Sequence, residues 1–102
     1  MGKEELAKTK ELRHRLEATK NKLNAARVSF LLEEARTGLQ LARLALNSKD
    51  GTDIESLLRQ RSSALDALQV ILHFSPLVDL KDPERDELES LVSELRSCLA
   101  QL

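Results

Sequence analysis

The sequence is poor in aromatic residues, glycine and proline. It contains two Phe and neither Trp nor Tyr among its 102 residues, with three Gly and two Pro. Strands favour aromatic and β-branched residues, and short strands need frequent turns, so this composition argues against a β fold. Charged residues instead make up 32% of the chain, which is typical of helical bundles and coiled coils. The sequence therefore predicts an all-α fold.

Long apolar runs and a second cysteine are also missing. The uninterrupted apolar runs span only a few residues, whereas a transmembrane helix needs roughly 20. The beginning of the chain, MGKEELAKTK, lacks the apolar core of a secretory signal. A cytoplasmic protein is therefore expected. The single Cys98 has no disulfide partner in the chain, and it is predicted to be a buried structural thiol.

Residues 28–47 are the segment around which the other helices are expected to pack. At helical spacing its apolar residues form two adjoining arcs, whereas a two-stranded coiled coil would need one. The first arc holds Val28, Leu31, Leu32, Ala35, Leu39, Ala42 and Leu46, and the second holds Phe30, Leu41, Leu44 and Ala45. Gly38 is expected to let another backbone come close. The segment predicts a central helix with at least two neighbours, ending at Asn47.

Residues 3–27 are predicted to form a helix with a weaker apolar stripe. The stripe has heptad spacing and consists of Thr9, Leu12, Leu16, Thr19, Leu23, Ala26 and Phe30. It is out of register with the arc that begins at Val28. Either one helix of about 45 residues changes its contact face near residues 26–30, or the helix breaks there. An unbroken helix would be roughly 70 Å long, and its first half would overhang the bundle.

A second helix is predicted to begin at Asp53 and to end before Pro76. Thr52, as N-cap, and Glu55 have the spacing of a capping box, and a Ser-Pro pair disfavours further helix. The apolar side of this helix holds Ile54, Leu57, Leu58, Leu65, Leu68, Ile71 and Leu72, with Arg61 and Ala64 completing the seam. Because few residues separate it from the central helix, the two are predicted to form an antiparallel hairpin.

A third helix is predicted to begin at Asp82, as N-cap, with Pro83 at the first helical position. Its leucine stripe needs one partner surface, which the second arc of the central helix is expected to supply. The preceding loop, residues 76–80, is expected to cap the bundle. The predicted core is Leu32, Leu39, Leu46, Leu58, Leu65, Leu72, Leu88, Leu95 and Leu99.

Together these patterns predict a single domain of residues 1–102. The fold is expected to be an antiparallel bundle of three helices, in which residues 28–102 form the bundle. Residues 1–27 are expected to form a projecting helix. The long N-terminal helix overhangs or breaks near residues 26–30.

Few residues have the pattern of a catalytic or metal site. Glu11 and His14 have the Glu-x-x-His spacing of di-iron bundles, but no second copy occurs, and the flanking Arg13 and Arg15 repel a cation. His73 is expected to favour the C-terminal end of the second helix. No phosphate-binding glycine loop, zinc pattern or nucleophile elbow is present. We therefore expect neither an enzyme nor a bound cofactor or metal, and no small-molecule substrate.

Charge is distributed unevenly along the chain. Residues 1–27 hold eight Lys/Arg against four Glu, a net charge of +4, and residues 28–102 hold eight against thirteen Asp/Glu, a net charge of −5. The basic residues could follow phosphates, but Glu is interspersed among them and no aromatic residue offers stacking. A nucleic-acid or anionic-membrane binder is therefore the alternative function. The basic helix could also pair with the acidic third helix, within the chain or in a dimer.

The order of the helices resembles that of known interaction domains. A long first helix overhanging a hairpin, then a third helix after a short apolar linker, resembles GAT domains of vesicle-trafficking adaptors and the N-terminal three-helix domains of some SNAREs. The resemblance covers residues 28–102, in topology and length. Residues 59–74, RQRSSALDALQVILHF, resemble the C-terminal helix of small needle-subunit chaperones of type III secretion. These resemblances imply an adaptor-like or chaperone-like role.

The favoured function is therefore a non-enzymatic helical interaction module, such as an adaptor, assembly or chaperone-like subunit. Its partner is expected to be a helix of another protein or a second copy of the chain. The predicted partner-binding residues are Leu6, Leu12, Leu16, Leu23, Arg13 and Arg15. Residues 3–27 contain only four leucines, too little apolar surface to hold an isolated helix firmly. We expect this helix to be less stable than the rest and to be the docking site.

Overall fold

The computed structural model describes residues 3–48 and 53–102, without the side chains of residues 3–6. It contains three helices, α1 (Lys3–Asn47), α2 (Ile54–Phe74) and α3 (Asp82–Ala100), and a short 3₁₀ turn at Ser75–Leu77. Neither described range contains a strand. α2 and α3 both pack against α1 and touch each other much less. The predicted all-α bundle of three helices is confirmed.

The three helices run up, down and up. α2 is antiparallel to α1, because Phe74 at its end lies beside Phe30 while Ala67 lies beside Gly38. α3 is parallel to α1, as two ion pairs show. Arg36 pairs with Glu87, and one heptad further along both helices Arg43 pairs with Glu94 at 2.5 Å. All four side chains are about half exposed, so each pair stabilises the fold by less than about 1 kcal/mol.

α1 is one continuous helix of 45 residues. Of the two alternatives predicted near residues 26–30, the change of contact face occurs and the break does not. Leu23 and Phe30 are exposed, whereas Val28 between them is buried. All side chains from Ala7 to Leu23 are exposed, and the molecule is 74 Å long but only 24 and 15 Å across. The first half of α1, residues 3–25, therefore projects beyond the bundle, and we call it the overhang.

The end of α1, both ends of α2 and the start of α3 lie within one residue of their predicted places. α1 ends at Asn47, as predicted. The predicted N-cap Thr52 lies outside the described residues. α2 begins at Ile54 rather than Asp53, because Asp53 is itself the N-cap, and its carboxylate accepts a hydrogen bond from the backbone N–H of Glu55 at 3.2 Å.

The start of α3 corrects the prediction that Asp82 is an N-cap. The N-cap is Lys81, whose side chain makes no capping hydrogen bond, and Asp82 is the first helical residue. There its carboxylate lies near the positive end of the helix dipole and 3.5 Å from the guanidinium of Arg85. Pro83, in the first turn, needs no hydrogen-bond acceptor for its ring nitrogen.

The core differs from the predicted one on α2. The buried apolar residues are Val28, Leu31, Leu32, Ala35, Leu39, Ala42, Ala45, Ala64, Ala67, Ile71, Leu88 and Leu95. Of the predicted core, Leu32, Leu39, Leu88 and Leu95 are buried, and Leu46, Leu99 and the predicted thiol Cys98 are half-buried. The prediction is wrong for Leu58, Leu65 and Leu72, which are 53%, 37% and 46% exposed.

The close approach of α1 and α2 at Gly38 explains this difference. A Cβ atom at Gly38 would lie only 2.9 Å from the Cβ of Ala67, so the expectation that another backbone comes close here is confirmed. α2 turns its small residues Ala64 and Ala67 towards α1 and three of its leucines outward, while Leu68 is half-buried against the core. Arg61, in the middle of the predicted leucine seam, stays exposed, since burying an unpaired guanidinium would be costly.

α3 packs beside the first arc of α1. It had been predicted to pack on the second arc, and that prediction is wrong. Leu88 lies in one core cluster with Val28 and Leu32, and Leu95 lies in another with Leu39. The ion pairs of Arg36 and Arg43 hold α3 on this side. Two members of the second arc, Phe30 and Leu44, are consequently exposed.

Truncation of one buried and one outward leucine tests this corrected core. Leu39 is 4% exposed. Leu39→Ala should lower the unfolding free energy by about 2–5 kcal/mol, because a cavity forms in a packed core. Leu65→Ala should lower the unfolding free energy by less than half as much. Urea unfolding of both variants measures the difference, and equal losses would place Leu65 in the core after all.

Substitution of Gly38 tests the close approach. Gly38→Ala gains about 1 kcal/mol in helix propensity, but the new methyl group collides with Ala67, and overpacking typically costs about 1–3 kcal/mol. We expect a net loss of stability. In the double variant Gly38→Ala/Ala67→Gly the space is restored, so its loss should be smaller than the sum of the two single losses. Simple additivity in a urea double-mutant cycle would contradict the contact.

Candidate protein-interaction surface

Large apolar side chains line the outer face of α1. We call Leu12, Leu16, Leu23, Phe30 and Leu44 the exposed stripe, and each of them is more than half exposed. Leu16, Leu23 and Phe30 follow one another at seven-residue steps, and Leu44 lies two further steps along, so they share one face of the helix. Such spacing is typical of a surface that packs against another helix.

The predicted site residues are only partly brought together. Leu12, Leu16 and Leu23 are exposed on one face, whereas the side chain of Leu6 lies outside the described part. Arg13 and Arg15 are exposed, and because they are two residues apart they point to different sides of the helix. Arg15 forms an ion pair with Glu11 at 2.9 Å. The three leucines therefore form the surface, and the arginines flank it.

The exposed stripe meets a cleft where α1 enters the bundle. This cleft, which we call the Phe30 cleft, has a volume of about 380 Å³ and is lined by Arg27, Phe30, Leu31, Phe74, Leu77 and Val78. Leu77 is 67% exposed and Phe74 is 44% exposed. Since Arg27 is the only charged residue in the lining, the cleft suits an apolar side chain. Phe74 and Leu77 were missed in the sequence because they lie where α2 ends, outside its periodic stripe.

A second, smaller cleft lies further along the same side of the bundle, between α1 and α2. This cleft, the Leu41 cleft, has a volume of about 260 Å³ and is lined by Leu41, Ser56, Arg59, Gln60 and Ser63. The side-chain oxygen of Gln60 is buried, with no hydrogen-bond partner among the described residues. Small serine side chains on α2 leave α1 accessible here.

Asn24 fixes the boundary between the overhang and the bundle. Its side-chain nitrogen donates a hydrogen bond to the carbonyl oxygen of Asp79 at 2.8 Å, and its side-chain oxygen accepts one from the Asp79 backbone N–H at 2.9 Å. The amide thus pairs with both backbone groups of Asp79, as a residue of a neighbouring antiparallel strand would. The bond partner lies 55 residues away and is a backbone group, so no sequence signal could have found it.

The loop held by Asn24 covers one end of the bundle. Val78 and Leu80 are half-buried against the core cluster that contains Leu31 and Ile71, while Leu77 faces the Phe30 cleft. The predicted capping of the bundle by residues 76–80 therefore involves two of the three apolar side chains. His73 lies in the last turn of α2, where its ring contacts Phe74 edge to face at 4.9 Å.

A third concave surface separates α2 from α3. It has a volume of about 400 Å³, and its lining includes Ile71, Leu72, Leu88 and Val92 with the charged Glu89 and Arg96. This groove is on the other side of α2 from the Phe30 cleft, so it is not continuous with the exposed stripe.

The described residues offer no cluster of three or more His, Cys, Asp and Glu side chains that could hold a metal ion. His14 is exposed, and the carboxylate of Glu11 is engaged by Arg15. Within residues 3–48 and 53–102, no helix combines the length and apolar character needed to cross a lipid bilayer.

The charged residues of the overhang lie in solvent. Every Lys and Arg from Lys8 to Arg27 is exposed. Of the two possible pairings of this basic helix with acidic α3, the one within the chain does not occur among the described residues, because the α3 carboxylates that pair with α1 reach Arg36 and Arg43 instead. These two arginines lie in the bundle half of α1, alongside α3, whereas the overhang extends past its end.

No protein-family model, curated protein or solved structure matches this chain.

Removal of the Asn24 side chain tests the two hydrogen bonds that hold the loop, which we call the Asn24 clamp. Asn24→Ala loses two hydrogen bonds to Asp79, each worth about 0.5–1.5 kcal/mol, so the unfolding free energy should fall by roughly 1–3 kcal/mol. Hydrogen exchange at the Asp79 amide should accelerate. Asn21→Ala, a change one turn earlier on the same helix, is the matched control and should do neither. Equal effects of the two variants would show that the bonds contribute nothing specific.

Proposed function

We propose that this protein is a non-enzymatic helical interaction module that binds a helix along the exposed stripe of α1. The observation that carries the proposal is the exposure of Leu12, Leu16, Leu23 and Phe30 at heptad spacing on a helix that projects from its bundle. Burying a leucine side chain contributes about 1.5–3 kcal/mol. A helix that covered these residues would gain several such contributions.

The Phe30 cleft supports the same proposal. It continues the exposed stripe into the bundle, where Phe74 and Leu77 widen the apolar surface beyond a single helix. A side chain inserted there would be surrounded on several sides, as binding-energy hot spots usually are. The bundle thus provides an anchoring pocket, and the overhang provides a long helical surface along which a partner helix packs.

The role fits an adaptor, assembly subunit or chaperone-like protein, acting in the cytoplasm as expected from the sequence. Such proteins work by presenting a surface and need no reactive group. Partner binding through apolar burial should persist at high ionic strength. Binding through phosphates would instead fall steeply as salt is added, which separates this role from the nucleic-acid or anionic-membrane alternative.

A paired substitution tests the proposal. In Leu16→Asp/Leu23→Asp, two carboxylates enter the exposed stripe, and partner capture should be lost. The unfolding midpoint, measured on dilute, monomeric protein, should stay close to that of the original chain, because both side chains are exposed. Ile54→Asp/Leu58→Asp is the matched control, since it changes two equally exposed apolar residues on α2. Quantitative mass spectrometry of proteins captured by each variant, beside thermal unfolding curves, provides the measurement.

Proteins lost from the stripe variant but retained by the control would support the proposal. Capture that both variants retain would contradict it. Capture that disappears with rising salt in the unsubstituted chain would favour the alternative.

A further inference from the structure

The exposed stripe runs along both halves of α1. Leu12, Leu16 and Leu23 lie on the overhang, and Phe30 and Leu44 lie beside the bundle. The two halves are nearly equal in length, because residues 3–25 span about 35 Å and residues 28–47 about 30 Å at 1.5 Å per residue. A second copy turned end for end would therefore lay each overhang along the bundle of the other copy.

The spacing of the apolar residues matches this arrangement. Leu12 and Leu23 are eleven residues apart on the overhang, and Phe30 and Leu41, which line the two clefts, are also eleven residues apart. When two α1 helices run antiparallel and Leu23 of one copy enters the Phe30 cleft of the other, Leu12 reaches the Leu41 cleft. One register thus fills both clefts in both copies.

Two pairs of opposite charges beside the stripe fit the same register. It brings Lys20 and Lys22 of one copy next to Glu33 and Glu34 of the other. None of these four side chains forms an ion pair with another described residue. Within one chain Lys20 and Glu33 are thirteen residues apart on a straight helix, about 20 Å, so they can meet only between copies.

We infer that a second copy of this chain docks antiparallel along the exposed stripe, with a two-fold axis between Ala26 and Arg27. The inference rests on the proposed function and specifies its partner. A parallel arrangement shifted by eighteen residues would bring the same leucines to the same clefts. It would separate the lysines from the glutamates, and it would leave open ends that add further copies, whereas the two-fold arrangement closes as a dimer.

Disulfide trapping in the full chain distinguishes the arrangements. In a Cys98→Ala background, Ala26→Cys places two thiols beside the two-fold axis, and mild oxidation should give a covalent dimer. Thr19→Cys is the matched control, because its two copies would be about 22 Å apart along the axis, far beyond the Cα separation of about 4.4–6.8 Å that a disulfide spans. A covalent dimer of the Thr19→Cys variant, or none of Ala26→Cys, would overturn the inference.

Sedimentation equilibrium measures the strength of association. Leu23→Asp should raise the dimer dissociation constant by about 100-fold or more, because the leucine is lost twice in a symmetric interface. Leu58→Asp, on α2, should leave it unchanged. Glu33→Lys/Glu34→Lys should weaken the dimer, and further addition of Lys20→Glu/Lys22→Glu should restore it. Failure of the second exchange to restore association would overturn the register.

The outcomes separate this inference from the proposed function. If the chain stays monomeric at every concentration, a second copy is not its partner. If Leu16→Asp/Leu23→Asp then loses captured proteins that its control variant retains, the interaction module is still supported. A dimer weakened as much by Leu58→Asp as by Leu23→Asp overturns the inference and removes the exposed stripe as its basis.

Discussion

The contact between α1 and α2 at Gly38 is the constraint on which the rest of the structure depends. Because Gly38 has no side chain, Ala64 and Ala67 come close to α1, and the small face of α2 is buried. Three leucines of α2 are then turned away from α1, and α3 occupies the other side of the first arc. With both neighbours placed in this way, no part of the bundle covers the exposed stripe.

The projecting half of α1 depends on the bundle in a different way. Starting a helix is unfavourable because several residues must be ordered for one hydrogen bond, whereas extending an existing helix is nearly neutral or favourable. Residues 28–47 are held by packing, so they provide the nucleus from which residues 3–27 continue. No glycine or proline interrupts that extension. A stretch with few apolar residues can therefore be helical without being buried.

Periodicity predicted the helices better than it predicted their contacts. Caps, turn residues and apolar spacing located the end of α1, both ends of α2 and the start of α3 to within a residue, since these are local effects. The same spacing put three outward leucines of α2 in the core, although Ala64 and Ile71 of the predicted seam are buried. It weighs leucine above alanine and ignores how closely two backbones can approach. The stripe of Leu12, Leu16 and Leu23 was visible in the sequence. The Phe30 cleft and the Asn24 clamp were not, since they join segments far apart in the chain.

The parallel direction of α1 and α3 gives the molecule a polarity. Lys3 begins the overhang, while Leu102 follows α3 beside the opposite end of α1, so the two residues lie near opposite ends of a particle 74 Å long. Anything joined to one end is held away from anything joined to the other, as on a rigid spacer. Pairing two such spacers antiparallel would bring the unlike ends together, and each end of the dimer would then carry both kinds of chain end.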